Sequence, residues 1–293
     1  ITISGLQVQA SEGGNPGVSV NITKTAGSPD VVIAGVTNGT TNFGTLSQTV
    51  GTMSKLVVTF PGQTFTDAST SAASGNSGTV TNQTSSTSFN ITSLTATDQF
   101  FNVVTSYSGA KTISYSGPSN ATTSPSYTTS VSFTNGISTT TLATTLKKAE
   151  TTTITASDGS ITGPASSNLT VNPGSISSFS FSNIGTQTDG TAFNITITAK
   201  DAEGNTATGF TGTADLSISV GSISPTVTSA FSSGVRTESV TSSGAAGSNR
   251  SITATRTGGA QTGTSNTFTI NSLTPSISSI SPTSKVVGQS GFT

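Results

Sequence analysis

A stretch of about twenty residues occurs twice, about a hundred residues apart, and a repeat of that period limits the fold more than any single motif does. The later copy is Thr191–Gly212, TAFNITITAKDAEGNTATGFTG, and the earlier is Ser88–Gly109, SFNITSLTATDQFFNVVTSYSG. In the later copy Phe193, Ile195, Ile197 and Ala199 alternate with polar residues, the period of a strand with one face buried. Asp201-Ala-Glu-Gly-Asn205 then interrupts the pattern as a turn, where Gly and Asn take conformations that other residues resist.

The correspondence runs well past that strand. Tyr107-Ser-Gly109 answers Phe210-Thr-Gly212, and Ile113/Tyr115 answer Leu216/Ile218. Phe133-Thr-Asn-Gly136 answers Phe231-Ser-Ser-Gly234, with Ile137 and Leu142 matching Val235 and Val240. Ile154-Thr-Ala156 answers Ile252-Thr-Ala254, and Leu169/Val171 answer Phe268/Ile270. These parallels define a first repeat over residues 79–172 and a second over 173–272, each near the roughly 100 residues of a two-sheet sandwich. The first copy carries one extra residue between Phe89 and Asp98, which would reverse the facing of every later side chain. A bulge near Thr92-Ser93 would absorb it.

Residues 1–78 read as an all-β N-terminal region, an incomplete or divergent domain of the same kind. Ile1/Ile3, Leu6/Val8/Ala10, Val18/Val20/Ile22 and Leu56/Val58/Phe60 alternate with polar residues, and Glu12–Pro16, Gly27–Asp30 and Asn38-Gly39 are turn signals. Asp67–Gly78, small and polar, reads as a linker or as a long surface loop within a sheet.

The repeats resemble the bacterial immunoglobulin-like repeats of large secreted surface proteins. The resemblance rests on Ala96–Gly109 and Ala199–Gly212, on the Ile-Thr-Ala strand, and on the closing Leu169-Thr-Val171 or Phe268-Thr-Ile270. It covers about two thirds of the chain. It implies tandem Ig-like β-sandwiches of Greek-key form with about seven strands each, and an extracellular or cell-surface location. The first copy departs from the family pattern with Phe101 where Gly is usual, which implies a differently shaped turn. Residues 273–293 read as a linker, an exchanged strand, or the opening of an IPT/TIG-like domain carried by Ser276–Thr293, with Pro275 and Pro282 suited to a boundary.

Composition narrows the chemistry. Ten Lys or Arg against eleven Asp or Glu offer no basic surface for nucleic acid. No run approaches the roughly 18 apolar residues of a membrane helix. The chain lacks an initiator Met and stops within a strand-like Gly291-Phe-Thr293, as a mature or excised piece of a longer protein would. With neither His nor Cys, the usual triads and thiolate chemistry are excluded, and the scattered acids show no facing pair. The expectation is a protein that is not an enzyme and needs no cofactor.

Three kinds of site remain to be placed. Asp201, Glu203 and Asn205 are an oxygen-rich calcium candidate, weighed against an ordinary Asx turn. Eight sequons, at Asn21, Asn38, Asn82, Asn90, Asn120, Asn168, Asn194 and Asn249, are glycosylation candidates, with Asn90 and Asn194 at matching outward positions. Glycan binding is disfavoured because there is no Trp, and of the three tyrosines only Tyr127 looks free. These features point to a structural component of an extracellular filament or surface layer, self-associating or joining other surface-protein domains, with strand exchange at Ile1–Ala10 or Ser276–Phe292. The alternatives are the stalk of an adhesin and a non-catalytic module of a secreted polysaccharide-active enzyme.

Overall fold

The computed structural model describes residues 19–23, 42–47, 50–67 and 75–273, the first two stretches by strand pairing alone. The expected strands at Ile1–Ala10 and the whole tail Ser276–Thr293 lie outside the described residues. The chain divides into two compact units, Ile1–Gly174 with Glu203–Asn205, and Ser175–Ala202 with Thr206–Thr293. Both are all-β, and the architecture is that of tandem Ig-like β-sandwiches.

In the first unit the strands are β1 Ser19–Thr23, β2 Asn42–Ser47, β3 Lys55–Thr59, β4 Gln63–Phe65, β5 Asn76–Gly78, β6 Gln83–Thr84, β7 Ser88–Ile91, β8 Ser93–Thr97, β9 Gly109–Thr112, β10 Ser114–Ser116, β11 Ser126–Tyr127, β12 Ser130–Thr134, β13 Ile137–Ser138, β14 Leu142–Thr145, β15 Thr151–Thr152, β16 Thr155–Ser157 and β17 Leu169–Asn172. In the second they are β18 Ser178–Phe181, β19 Gln187–Thr188, β20 Phe193–Lys200, β21 Ala214–Ile218, β22 Ser222–Ser224, β23 Val235–Ser243, β24 Gly247–Arg250, β25 Ile252–Arg256, β26 Thr262–Thr264 and β27 Phe268–Asn271.

The second unit shows the plan in its simpler form. One sheet runs β18-β20-β23-β22; facing it are β21-β25-β26 and β19-β27-β24. Along β20 the alternation read from sequence is the burial pattern: Ile195, Ile197 and Ala199 point into the core while Asn194 is exposed. Each of the two isoleucines contributes roughly 1.5–3 kcal/mol when fully buried. Phe179, Phe210 and Phe231 meet in the same interior, with ring centroids 5.1 to 5.7 Å apart. Two inward positions of β23, Glu238 and Ser242, are polar. Glu238 is held there by Arg236 Nε, which donates to its carboxylate at 2.9 Å, and by the Ser229 N–H at 2.7 Å.

The first unit repeats this plan from a starting point well before Thr79. β3 pairs antiparallel with β8, Leu56 opposite Ala96, as β18 pairs with β20, Phe179 opposite Ala199. Leu56, Val58 and Phe60 are fully buried in the same core as Ile91, Leu94 and Leu169. The sandwich boundary expected at residue 79 therefore moves upstream. The reason is the β4–β5 hairpin, which separates β3 from β6 and has no counterpart between β18 and β19. Of the stretch Asp67–Gly78, the end Asn76–Gly78 is β5 and pairs with β4, and residues 68–74 lie outside the described residues. Asn76 secures the hairpin: its Nδ2 donates to the Val58 carbonyl at 2.8 Å, and its Oδ1 accepts from the Thr59 hydroxyl at 2.7 Å.

The extra residue near Thr92 ends one strand and starts another. β7 pairs with β14, whereas β8 pairs with β3 and β13, so the single strand β20 of the second unit is split at Thr92 in the first. The partner strand is split as well. Phe89 stands opposite Thr144, and Phe193 opposite Val240, so Thr144 and not Leu142 is the counterpart of Val240. Likewise Tyr115 faces Ala156 as Leu216 faces Ala254, which moves the expected Tyr115–Ile218 equivalence by two residues.

Other features recur in full. Asn135-Gly136 and Ser233-Gly234 both have two successive positive φ values, 49° and 79° against 48° and 76°, as the two-residue type I′ hairpin turn requires. Gly163 lies so close to the Leu56 carbonyl that a Cβ would collide with it, and Gly263 stands in the same relation to Phe179. Where two backbones come this near, only the residue without a side chain fits.

Candidate functional site

The acidic turn that follows β8 is built around Asp98. Its Oδ1 accepts the N–H groups of Phe100 at 2.9 Å and Asn102 at 3.0 Å. Its Oδ2 accepts Asn102 Nδ2 and the Gly51 N–H, both at 2.9 Å. Burial opposes the charge, but the hydrogen bonds from Asn102, Gly51 and Phe100 outweigh it and hold the carboxyl below its ordinary pKa. Phe101 takes φ +64°, close to the +79° of Gly204, so at this position the backbone matches its second-unit counterpart despite the missing glycine. The ring compensates: Phe101 is buried, with Lys55 Nζ 3.6 Å from its centroid. Both Phe101→Ala and Phe101→Gly should therefore destabilise the first unit. The Gly variant should be the more stable of the two by about 1 kcal/mol, the cost of left-handed backbone for a residue with a Cβ. Urea unfolding of the pair measures the difference.

The division of the chain separates the calcium candidates, Asp201 falling in the second unit and Glu203 and Asn205 in the first. The Glu203 carboxylate accepts from Lys147 Nζ at 3.0 Å, from the Thr123 N–H at 3.0 Å and from the Ser86 hydroxyl at 2.9 Å. The Lys147 hydrogen bond is the main cause of a pKa pushed down to about 2, with Thr123 and Ser86 adding to it against the cost of desolvation. Asn205 Oδ1 accepts the Ala149 N–H at 2.9 Å, and its Nδ2 donates to the Lys147 carbonyl at 2.9 Å and the Ser85 hydroxyl at 3.1 Å. The Lys147 ammonium would compete with a divalent cation for the Glu203 carboxylate. Among the described residues, no three acids come together as a metal cluster. Thermal unfolding in chelator and in calcium chloride is expected to coincide. Nothing in the local sequence marks Lys147 as the partner, because it stands far from Glu203 along the chain.

The tyrosines change the expectation for sugar binding. Tyr127 is not a free platform: it stacks on Tyr115, centroids 4.6 Å apart and rings 13° from parallel, and both are half-buried against the first core. Tyr115 donates its hydroxyl to the Thr128 carbonyl at 3.1 Å, and burial pushes the phenols of Tyr115 and Tyr127 up to about 12. Tyr107 meets Phe133 edge-on and donates to Asp158 Oδ2 at 2.8 Å. Of the sequons, Asn82, Asn90, Asn120, Asn168, Asn194 and Asn249 are exposed. Asn90 and Asn194 each follow a half-buried Phe and precede a buried Ile, opposite Ala143 and Ser239 respectively. Asn21 lies in β1, of whose side chains nothing is described, and Asn38 lies outside the described residues.

No protein-family model matches the chain, and no curated protein matches it. Among solved structures it is similar to the adhesin InvE of Yersinia pseudotuberculosis, at 17% identity and a TM-score of 0.28 over 64% of this chain and 55% of that one. It is similar to the D00-D0 domain of intimin, at 16% identity and 0.35 over 73% of this chain and 98% of that one. Domains 1–6 of the surface layer protein SbsC give 17% identity and 0.28 over 88% and 35%. The chain thus spans about half the length of the InvE structure.

Proposed function

We propose that the chain is a structural segment of an extracellular assembly, a cell-surface filament or surface layer, in which Ig-like sandwiches connect and hold distance and carry out no reaction. The observation that carries this reading is the duplication of one closed unit down to its details: the acidic turn, the type I′ hairpin, the close glycine, and the pairing of β6 with β17 and of β19 with β27. The carboxylates support it. Asp98, Asp158, Asp189, Glu203 and Glu238 all have lowered pKa values, and hydrogen bonds to each stabilise its charged form. A carboxyl that donates a proton in catalysis needs the opposite shift. Electron microscopy of native material and sedimentation of the purified chain test the reading. Polymers are expected, and a monomeric rod at all concentrations would favour the adhesin stalk instead. Assembly by strand exchange is the finer form of the proposal: deleting Ile1–Ala10 or Ser276–Phe292 should abolish polymers, and undiminished polymers would remove it. Glycans at Asn90 and Asn194 belong to the same proposal, and intact-mass and peptide-mass measurements of native material test them.

A further inference from the structure

We propose that each unit is built to bear tension along the chain, with the parallel pairs β6–β17 and β19–β27 as the elements that resist; the inference rests on the connecting role proposed above. In both units a short strand near the entry lies parallel to the last strand, Gln83 and Thr84 beside Val171 and Asn172, Gln187 and Thr188 beside Ile270 and Asn271. Tension on the chain pulls the entering strand toward its N-terminal side and the leaving strand toward its C-terminal side. For parallel neighbours those forces point in opposite directions along one axis, so the inter-strand hydrogen bonds are sheared together. Strands pulled from the same end open one bond at a time.

Each pair is extended at the same point by further backbone bonds. The Ser85 N–H donates to the Asn172 carbonyl at 2.8 Å and the Ser86 N–H to Leu146 at 2.9 Å. In the second unit the Asp189 N–H donates to Asn271 and the Gly190 N–H to Ser242, both at 2.9 Å. The two units differ in what lies ahead of the pair. The five strands β1 to β5 precede it in the first, and only β18 in the second.

The chain has no Cys, so introduced pairs can serve as unique handles for single-molecule pulling. One variant carries Ser175→Cys with Leu273→Cys, loading the second unit end to end; another carries Thr191→Cys with Leu273→Cys. All three positions are exposed, and Gly190 lies against Leu273, so the second pair starts from adjacent ends and unzips β19 from β27. Forced unfolding reports the barrier along the pulled direction. The end-to-end force should exceed the unzipping force by at least about twofold, in variants whose melting matches the parent. Equal forces would overturn the proposal. Polymers with equal forces would reject the clamp and leave the assembly reading standing; a force-resistant monomer would do the reverse.

Discussion

A chain that begins at Thr79 is expected to leave its first sandwich unfolded. Such a truncation removes β3, whose residues from Lys55 to Thr59 pair in register with Thr97 to Ser93 of β8. It also removes Leu56, Val58 and Phe60, all at 0–1% exposure. At roughly 1.5–3 kcal/mol per buried side chain, their loss alone costs about 5–9 kcal/mol. That is comparable to the whole stability of a domain, about 5–15 kcal/mol. Leu94 and Ala96, opposite Val58 and Leu56, would also be opened to water. All three tyrosines lie in the first unit, so near-ultraviolet circular dichroism of tyrosine reports on it alone. The truncated chain should lose that signal while the second unit still melts cooperatively. A milder version is Phe60→Ala, expected to destabilise the first unit by about 3–5 kcal/mol. Native tyrosine ellipticity in the truncated chain would show that β3 is dispensable.

The second large effect is expected from Asp98→Ala. Four donors converge on this carboxylate, which is 2% exposed, and the substitution leaves the N–H groups of Phe100, Asn102 and Gly51 and the Asn102 amide without it. Unpaired buried donors cost about 1–3 kcal/mol each and do not add fully, so a loss of about 3–5 kcal/mol is expected in urea unfolding of the first unit. Asp98→Asn should recover only part of it, because its NH2 would face a donor. The same group sets an acid limit. Its folded pKa lies below its unfolded value of about 3.9, so its contribution is fully present above that value and is lost as pH falls through the folded one. Asp158 acts in the same direction, as does Glu203 with its folded pKa of about 2. The first unit of the parent chain should therefore weaken progressively below about pH 4.5, and Asp98→Ala should flatten part of that decline. An Asp98→Ala chain with parental stability would show that the turn forms without its carboxylate.

Legibility in the sequence followed period and spacing. The alternation of Phe193 to Ala199 placed β20 and its inward face, and Phe133–Gly136 was matched with Phe231–Gly234, because both signals are local. The start of the first sandwich was hidden because the β4–β5 hairpin lengthens the path from β3 to β8 and breaks the hundred-residue spacing that made the repeats visible. Slips of two residues, at Leu142 against Val240 and at Tyr115 against Ile218, were hidden for another reason. A shift by two returns a side chain to the same face, so alternation cannot register it. Inward polar residues blurred the pattern further, with Thr144 in the first unit and Glu238 and Ser242 in the second all buried. At the candidate site the acidic turn and its Asp were readable. The Lys147–Glu203 pair and the Tyr115–Tyr127 stack were not, since each depends on the fold bringing together residues that no short motif links.

Amide hydrogen exchange on the whole chain, read peptide by peptide, bears most directly on the claim that each repeat closes on its own first strand. The account predicts protection of Lys55–Thr59 equal to that of Ser93–Thr97 and Leu169–Asn172, and of Ser178–Phe181 equal to that of Phe193–Lys200. Rapid exchange at Lys55–Thr59 beside a protected Ser93–Asn172 would contradict it.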